Sequence, residues 1–408
     1  MTANVHPATG PARPATPGQL AWLDNELAVW RSTGIVDDRQ ATAIRQGYVE
    51  VRRFSLAKLL LFLGGGFVGV GLIWLVATNL DELPPLLRFA LVTILWLGLV
   101  VSAEVLAGRR AHQVTNDDRS SPVVGALRLL AALGFGAVIF QAAQSLQVPA
   151  YEPGLVGFWG LGALVYAYAV GGVTPLLVGV AGTTTWFVWD VFAAAEDGMG
   201  FVLPVLLAGV VAAGAAVLHA HRRSTLFAAP WREASALLVL LGLFIAAFPY
   251  VDVDGFTWSL PTVLGLIAAL AVAGASTIGA SATHRAEALV PLAAVAAGVL
   301  LVLWEPPEPV GGTVGAEGLA HALISVAVYV TAAGWFAILG VLRDSTRLTV
   351  IATGALVLFT TVQSFAVFAP IVTGASLFLL LGVVLLGSGY LFDRGRRRLA
   401  TSLEGASA

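Results

Sequence analysis

The residues best able to do chemistry lie between two apolar stretches near the N-terminus: Asn79, Asp81 and Glu82. Neighbouring carboxylates can bind a divalent cation or act as a general base, and polytopic enzymes that use lipid-linked sugars place an acid in such a connector. Those enzymes use long loops, whereas this connector is short. Capping of the two adjoining helices, with Pro84 at the start of the second, accounts for all three residues and is the interpretation we prefer.

Two residues of opposite charge lie within apolar segments. Glu104 is near the end of the second apolar segment, and Arg128 is near the start of the third. An ionisable group within a membrane span is costly and is usually paired, so the sequence predicts an ion pair that joins the two segments. A role in an ion or substrate path is the alternative. Arg128 is the only basic residue that we place within a span.

A glycine-rich run at residues 64–71 resembles a phosphate-binding loop at first sight. It lacks the Lys-Ser/Thr ending of that motif, and it lies inside an apolar segment that no nucleotide can reach. The spacing of Gly65 and Gly69 instead predicts a GxxxG face that packs against another helix. Gln144, a polar residue within a span, is accounted for by hydrogen bonding between helices. We therefore predict no cofactor and no metal site.

Composition places the chain in lipid. Of its 408 residues, 58% are hydrophobic and 11% are charged, whereas soluble domains carry about 25% charged residues. The chain has no cysteine, which excludes disulfides, thiolate catalysis and cysteine-ligated metals. The net charge of −2 provides no field that would attract nucleic acid. The lipid bilayer is the expected partner, and nucleic acid is not.

Apolar segments recur along residues 56–392, and the connectors between them alternate in charge. Arginines fall in every second connector, and acidic residues fall in the others. By the positive-inside rule, this alternation predicts an all-α, polytopic transmembrane helical bundle in the inner (plasma) membrane, with both termini in the cytoplasm. About twelve spans are predicted: 56–78, 86–107, 123–146, 154–173, 175–192, 200–221, 231–250, 258–281, 288–304, 318–342, 348–369 and 370–392.

The ends of the chain have a different pattern. Residues 1–18 are rich in Pro, Ala and Thr and predict a disordered tail, and residues 393–408 form a basic cytoplasmic tail. Residues 19–55 predict a cytoplasmic, amphipathic helical hairpin, in which Gly34 ends the first helix and Asp37 caps the second. Two uses stay open for this hairpin, an anchor on anionic lipid and a docking module for a cytoplasmic protein. The first helix has an apolar stripe at Leu20, Leu23, Leu27 and Trp30.

Three short stretches stand out in the first 150 residues or so. The first is Trp30 with residues 34–37 (Gly-Ile-Val-Asp). The second is residues 77–84, closing on Arg88. The third is Phe135-Gly136-Ala137-Val138-Ile139 with Gln144. With these stretches the chain resembles a bacterial family of predicted membrane proteins called domain of unknown function 2157. The resemblance implies an uncharacterised integral membrane protein, and it brings no activity, substrate or catalytic residue.

The sequence leaves several functions open. A non-catalytic role as a scaffold, an envelope-assembly factor or a sensor acting through residues 19–55 agrees best with the lack of catalytic motifs. The alternative is a transporter or scrambler of an amphiphilic or lipid-like substrate. Coupling to an ion gradient is not expected, because acidic groups are missing from the middle of the spans. A minor alternative is a lipid-linked glycosyltransferase that uses Asp81 and Glu82.

Overall fold

The computed structural model describes residues 13–15, 17–50, 84–111, 122–147, 151–221, 225–248, 256–306 and 315–363, with residues 63, 64, 67, 71, 149, 253 and 387. Within these ranges the chain is helical apart from two three-residue strands, β1 (Arg13–Ala15) and β2 (Tyr48–Glu50). The helices are α1 (Pro17–Ser32), α2 (Asp38–Gln46), α3 (Pro85–Ala111), α4 (Pro122–Ser145), α5 (Pro153–Val170), α6 (Val173–Ala194), α7 (Gly198–His221), α8 (Thr225–Ala246), α9 (Leu260–Thr277), α10 (Ala282–Leu303), α11 (Ala316–Leu342) and α12 (Thr346–Gln363).

Helices α1 and α2 form the hairpin that the sequence predicts. Gly34 has a φ of 75°, a left-handed conformation that favours glycine, and it follows the last turn of α1. The Asp37 side chain accepts a 2.7 Å hydrogen bond from the backbone N–H of Gln40, whose side chain accepts one from the backbone of Asp37. This capping box fixes the start of α2. Leu23 and Leu27 are buried between the two helices.

The first strand departs from the prediction for the N-terminus. Residues 13–15 form β1, which pairs in parallel with β2, immediately after α2. These residues therefore do not belong to a disordered tail. Their order comes from backbone hydrogen bonds to a segment more than thirty residues away, a contact that the composition of residues 1–18 does not reveal.

The apolar segments form the expected helices. The second to the eleventh predicted spans each overlap one helix, from α3 to α12. Among the described residues, nine helices are long and apolar enough to cross a membrane, and α9 has a shorter apolar segment, Thr262–Thr277. In lipid an unpaired backbone group is costly, so a long apolar run becomes a helix that satisfies its own hydrogen bonds. The first and the twelfth predicted spans lie almost wholly outside the described residues.

Helix α7 is at the centre of the bundle and packs against α6, α8, α9 and α10. Its apolar side chains, among them Val202, Val205 and Leu206, are buried. Two glycines of the neighbouring helices make room for Leu206: a Cβ built on Gly242 or Gly298 would meet this side chain at 2.6 or 2.5 Å. The middle of the bundle is therefore a closely packed apolar core.

Helices α5 and α6 approach each other most closely at two glycines. A Cβ on Gly160 would lie 2.5 Å from the backbone nitrogen of Thr183, and a Cβ on Gly182 would lie 2.9 Å from the Cα of Gly160. Only residues without a side chain allow this contact between backbones. Glycine-mediated packing thus occurs in the bundle, while Gly65 and Gly69, for which we predict the same role, lie outside the described residues.

Candidate functional site

The ion pair predicted between Glu104 and Arg128 is present. Arg128 on α4 donates from Nε to Glu104 Oε1 at 2.9 Å and from Nη2 to Oε2 at 2.7 Å. This is the two-pronged geometry in which guanidinium and carboxylate interact most strongly. The Tyr166 hydroxyl of α5 donates to Glu104 Oε1 at 2.8 Å. One carboxylate of α3 therefore joins three consecutive helices.

Tyr166 was not among the predicted site residues. It lies in the last part of α5, among small and apolar residues and a second tyrosine, Tyr168, and a buried tyrosine hydroxyl usually needs a partner. Both oxygens of Glu104 accept hydrogen bonds from neighbouring helices. The charged residues therefore have a structural role, which is to hold α3, α4 and α5 together. The structural interpretation that we preferred for Glu104 and Arg128 agrees with this geometry.

A second and more deeply buried cluster lies on the other half of the chain. Glu287 on α10 is 2% exposed, and its Oε1 accepts a 2.5 Å hydrogen bond from Nε of Arg232 on α8, which is 7% exposed. Its Oε2 accepts a 2.8 Å hydrogen bond from Nη2 of Arg343, the residue that follows α11. Two guanidinium groups thus share one buried carboxylate, and three helix ends meet at it.

A further ion pair extends this cluster to α12. Arg347 Nε lies 3.2 Å from Oε1 of Glu233, the neighbour of Arg232 on α8. We call these five residues the arginine cluster: Arg232, Glu233, Glu287, Arg343 and Arg347. All three arginines come from helix ends that the charge pattern places on one side of the bundle.

The three arginines of this cluster line a cavity of about 390 Å³. The lining includes alanines near the end of α7 and the start of α8, with Arg232 one turn further along α8. The turn between α11 and α12 completes it, and the 60% exposed side chain of Arg347 places the cavity at the surface. The lining residues are Ala220, Ala228, Ala229, Arg232, Arg343, Asp344, Ser345, Thr346 and Arg347.

None of this cluster was predicted from the sequence, and one prediction that bears on it was wrong. Arg128 is not the only basic residue inside a span, because Arg232 lies within the predicted span 231–250 and, in the structure, in the second turn of α8. The available signal was the position of Glu233 and Glu287, which are acidic residues on the arginine-rich side. An acid at such a place indicates a partner of opposite charge.

Polar residues elsewhere in the helices lie in separate surroundings. The Gln363 side chain is buried and donates to the backbone carbonyl of Ala247 at 3.3 Å, and the partly buried Thr183 Oγ1 donates to Gly179 of its own helix at 2.7 Å. Both groups thus have a backbone partner. Gln144, near the end of α4, is exposed. Asn79, Asp81 and Glu82 lie outside the described residues, so their capping role stays a prediction.

These helices define the class of the protein: it is embedded in a membrane and crosses it several times. Residues 28–176 match the model of the family described as "Predicted membrane protein (DUF2157)". This match confirms the resemblance carried by the three N-terminal stretches. It includes Glu104, Arg128 and Tyr166, and the arginine cluster lies beyond it. Comparisons with curated proteins and with solved structures found no match.

Proposed function

We propose that the protein is a non-catalytic integral membrane protein whose helical bundle anchors a hairpin that docks a cytoplasmic protein. The observation that carries the proposal is the outer face of the hairpin. Trp22 is 60% exposed, and Val29, two helical turns further along α1, is also exposed. These positions lie on one face of α1, opposite the stripe that packs against α2. Ile35, in the turn before α2, is exposed as well.

The apolar character of this face favours a protein over an anionic lipid surface as its partner. Residues 19–55 carry five carboxylates and five arginines, so the hairpin has no net charge. Two of its arginines form ion pairs within the hairpin, Arg31 with Asp38 and Arg45 with Asp24. A hairpin without net positive charge lacks the attraction of a basic helix for anionic headgroups, whereas an exposed aromatic and apolar patch is typical of a protein interface.

The same proposal includes the topology. We propose that the protein lies in the inner membrane and crosses it twelve times, with both termini in the cytoplasm. Exposed Arg285 at the start of α10 and Arg343 after α11 support it, since both lie at helix ends on the arginine-bearing side. At the opposite ends of these two helices, Trp304 Nε1 donates to Glu317 at 3.3 Å. A tryptophan beside an acidic residue at that level fits the outer interface.

Transport of an amphiphile has less support. A carrier needs a polar or open path towards the middle of the membrane. Around α7, the described bundle is filled by apolar side chains instead, and the polar groups Thr183 and Gln363 are occupied by backbone carbonyls. The glycosyltransferase alternative depends on Asp81 and Glu82, which lie outside the described residues.

Photo-crosslinking in native membranes tests the docking proposal. A photoreactive amino acid is placed at position 22, at position 29, or at the exposed control position Gln46 on the outer face of α2 in the full-length chain. We expect the same identified cytoplasmic protein to be captured from positions 22 and 29 but not from 46. Val29→Asp should abolish capture from position 22. Crosslinks to lipid alone, or equal capture from all three positions, would contradict docking.

A further inference from the structure

We propose that the cavity beside the arginine cluster binds a phosphate group, carried either by a membrane lipid or by a small soluble molecule. The volume of about 390 Å³ is sufficient for a headgroup or a small phosphorylated compound. This site is separate from the hairpin, and the proposal does not depend on the docking function.

Hydrogen bonds to a carboxylate outside the cavity fix the orientation of two of the arginines that line it. Glu287 accepts one hydrogen bond from Arg232 and one from Arg343, and neither Glu287 nor Glu233 lines the cavity. A guanidinium has five N–H donors in a fixed plane, so the bonds to Glu287 fix the orientation of both groups and leave other donors on their far edges. This is the support that a preorganised anion site needs.

The most accessible donors of the cluster belong to Arg347, whose side chain is 60% exposed. Arg343 is partly exposed, although its Nε is buried and has no hydrogen-bond partner within the described part of the chain. A phosphate has several charged acceptor oxygens, and planar guanidinium groups recognise them in pairs.

The turn between α11 and α12 adds features of the same kind. Ser345 and Thr346 line the cavity beside the first turn of α12, where helix N–H groups and the helix dipole favour an anion. Asp344, which also belongs to the lining, has a φ of 52° and makes interactions of its own. The lining therefore holds three arginines against one acid.

The alanines of the lining indicate how a lipid would fit. Ala220, Ala228 and Ala229 add apolar surface beside the arginines, near the ends of two helices that are buried in the bundle. A phosphate bound to the arginines and a glycerol backbone against the alanines would use both kinds of surface. A soluble phosphate compound would use the arginines alone, and this difference allows the two sources to be separated.

The test uses the full-length protein and three variants. Arg347→Gln removes an exposed arginine of the lining, and Ala229→Leu fills the apolar part of the lining without changing a charge. The matched control is Arg285→Gln, which removes an exposed arginine on the same side of the bundle but outside the cavity. Binding of dioleoyl phosphatidic acid is measured by native mass spectrometry against dioleoyl phosphatidylcholine. Inorganic phosphate is tested by thermal unfolding in phosphatidylcholine nanodiscs, against chloride at equal ionic strength.

We expect selective binding in at least one arm, weakened about tenfold by Arg347→Gln, as the loss of one charge-assisted hydrogen bond implies. If the protein binds phosphatidic acid but not inorganic phosphate, and Ala229→Leu also weakens that binding, the site is assigned to a lipid. If inorganic phosphate raises the unfolding temperature, the site is assigned to a soluble ligand. The proposal is overturned if neither arm responds. It is also overturned if Arg285→Gln weakens binding as much as Arg347→Gln, because the effect would then be one of overall charge.

Discussion

Glu287 on α10 accepts a 2.5 Å hydrogen bond from Arg232 on α8, and both side chains lie inside the helical bundle. Arg343 binds the other oxygen of the same carboxylate. Removing one partner of such a group leaves a buried charge without compensation, and this loss exceeds what the pair itself contributes. An acid on the basic side of the protein therefore joins α8, α10 and the end of α11.

Replacing this acid with its amide is expected to destabilise the bundle. In Glu287→Gln, the buried guanidinium of Arg232 and the partly buried one of Arg343 lose their common counter-charge, and we expect a loss of about 3 kcal/mol in the free energy of unfolding. Chemical unfolding in detergent micelles measures it. The control is Glu152→Gln, since this exposed residue at the start of α5 makes no side-chain capping bond. Equal stability of the two variants would contradict the assigned role of Glu287.

The pair in the N-terminal half should show coupling in a double-mutant cycle. Glu104→Gln, Arg128→Gln and the double variant remove a pair that is only partly buried. Interactions between membrane helices are modest, so we expect a coupling energy of about 1 kcal/mol. Thermal unfolding of the three variants and the parent chain gives this value. Additive effects of the single substitutions would show that the contact does not lock α3 to α4.

The approach of α5 to α6 gives a prediction about glycine. In Gly182→Ala, the added methyl group would lie 2.9 Å from Gly160 Cα, so the two backbones must separate, and we expect a loss of about 2 kcal/mol. Gly98→Ala on α3 is the control, because a Cβ there meets nothing within 4 Å. Without a clash, alanine is the better helix former, so the control should keep or gain stability. A neutral Gly182→Ala would mean that the helices are not in backbone contact.

The hairpin should respond to the loss of its cap independently of the bundle. Asp37→Ala removes the acceptor for the Gln40 N–H, and we expect a local loss of about 1 kcal/mol. Hydrogen exchange should become faster in α2 and stay unchanged in α7. Asp38→Ala is the comparison, because its exposed ion pair with Arg31 contributes little. Similar exchange in both variants would contradict the importance of the capping box.

Hydropathy and charge alternation predicted the helices because both are properties of the local sequence and do not depend on how the helices pack. Each predicted span from the second to the eleventh corresponds to a helix, and Asp37 is the cap that its position indicated. These features depend on local hydrogen bonding and on the length needed to cross lipid.

The arginine cluster could not be predicted in the same way. Arg232, Glu287 and Arg343 lie more than fifty residues from one another, and only the packing of α8, α10 and α11 brings them together. From the sequence, Arg232 and Arg343 are connector charges like the others. The pair of Glu104 and Arg128 was easier to predict, because both residues lie within consecutive apolar segments where an unpaired charge is costly.

Cysteine labelling in intact cells tests most directly the claim that the hairpin and the arginine-lined cavity face the cytoplasm. The chain has no cysteine, so a single cysteine at an exposed position reports one site only. We predict that Asn25→Cys and Arg285→Cys react with a membrane-impermeant maleimide only after the membrane is opened. Glu152→Cys and Glu317→Cys should react in intact cells. If positions 25 and 285 differed in accessibility, or if all four reacted alike, the topology and the sites assigned to it would be contradicted.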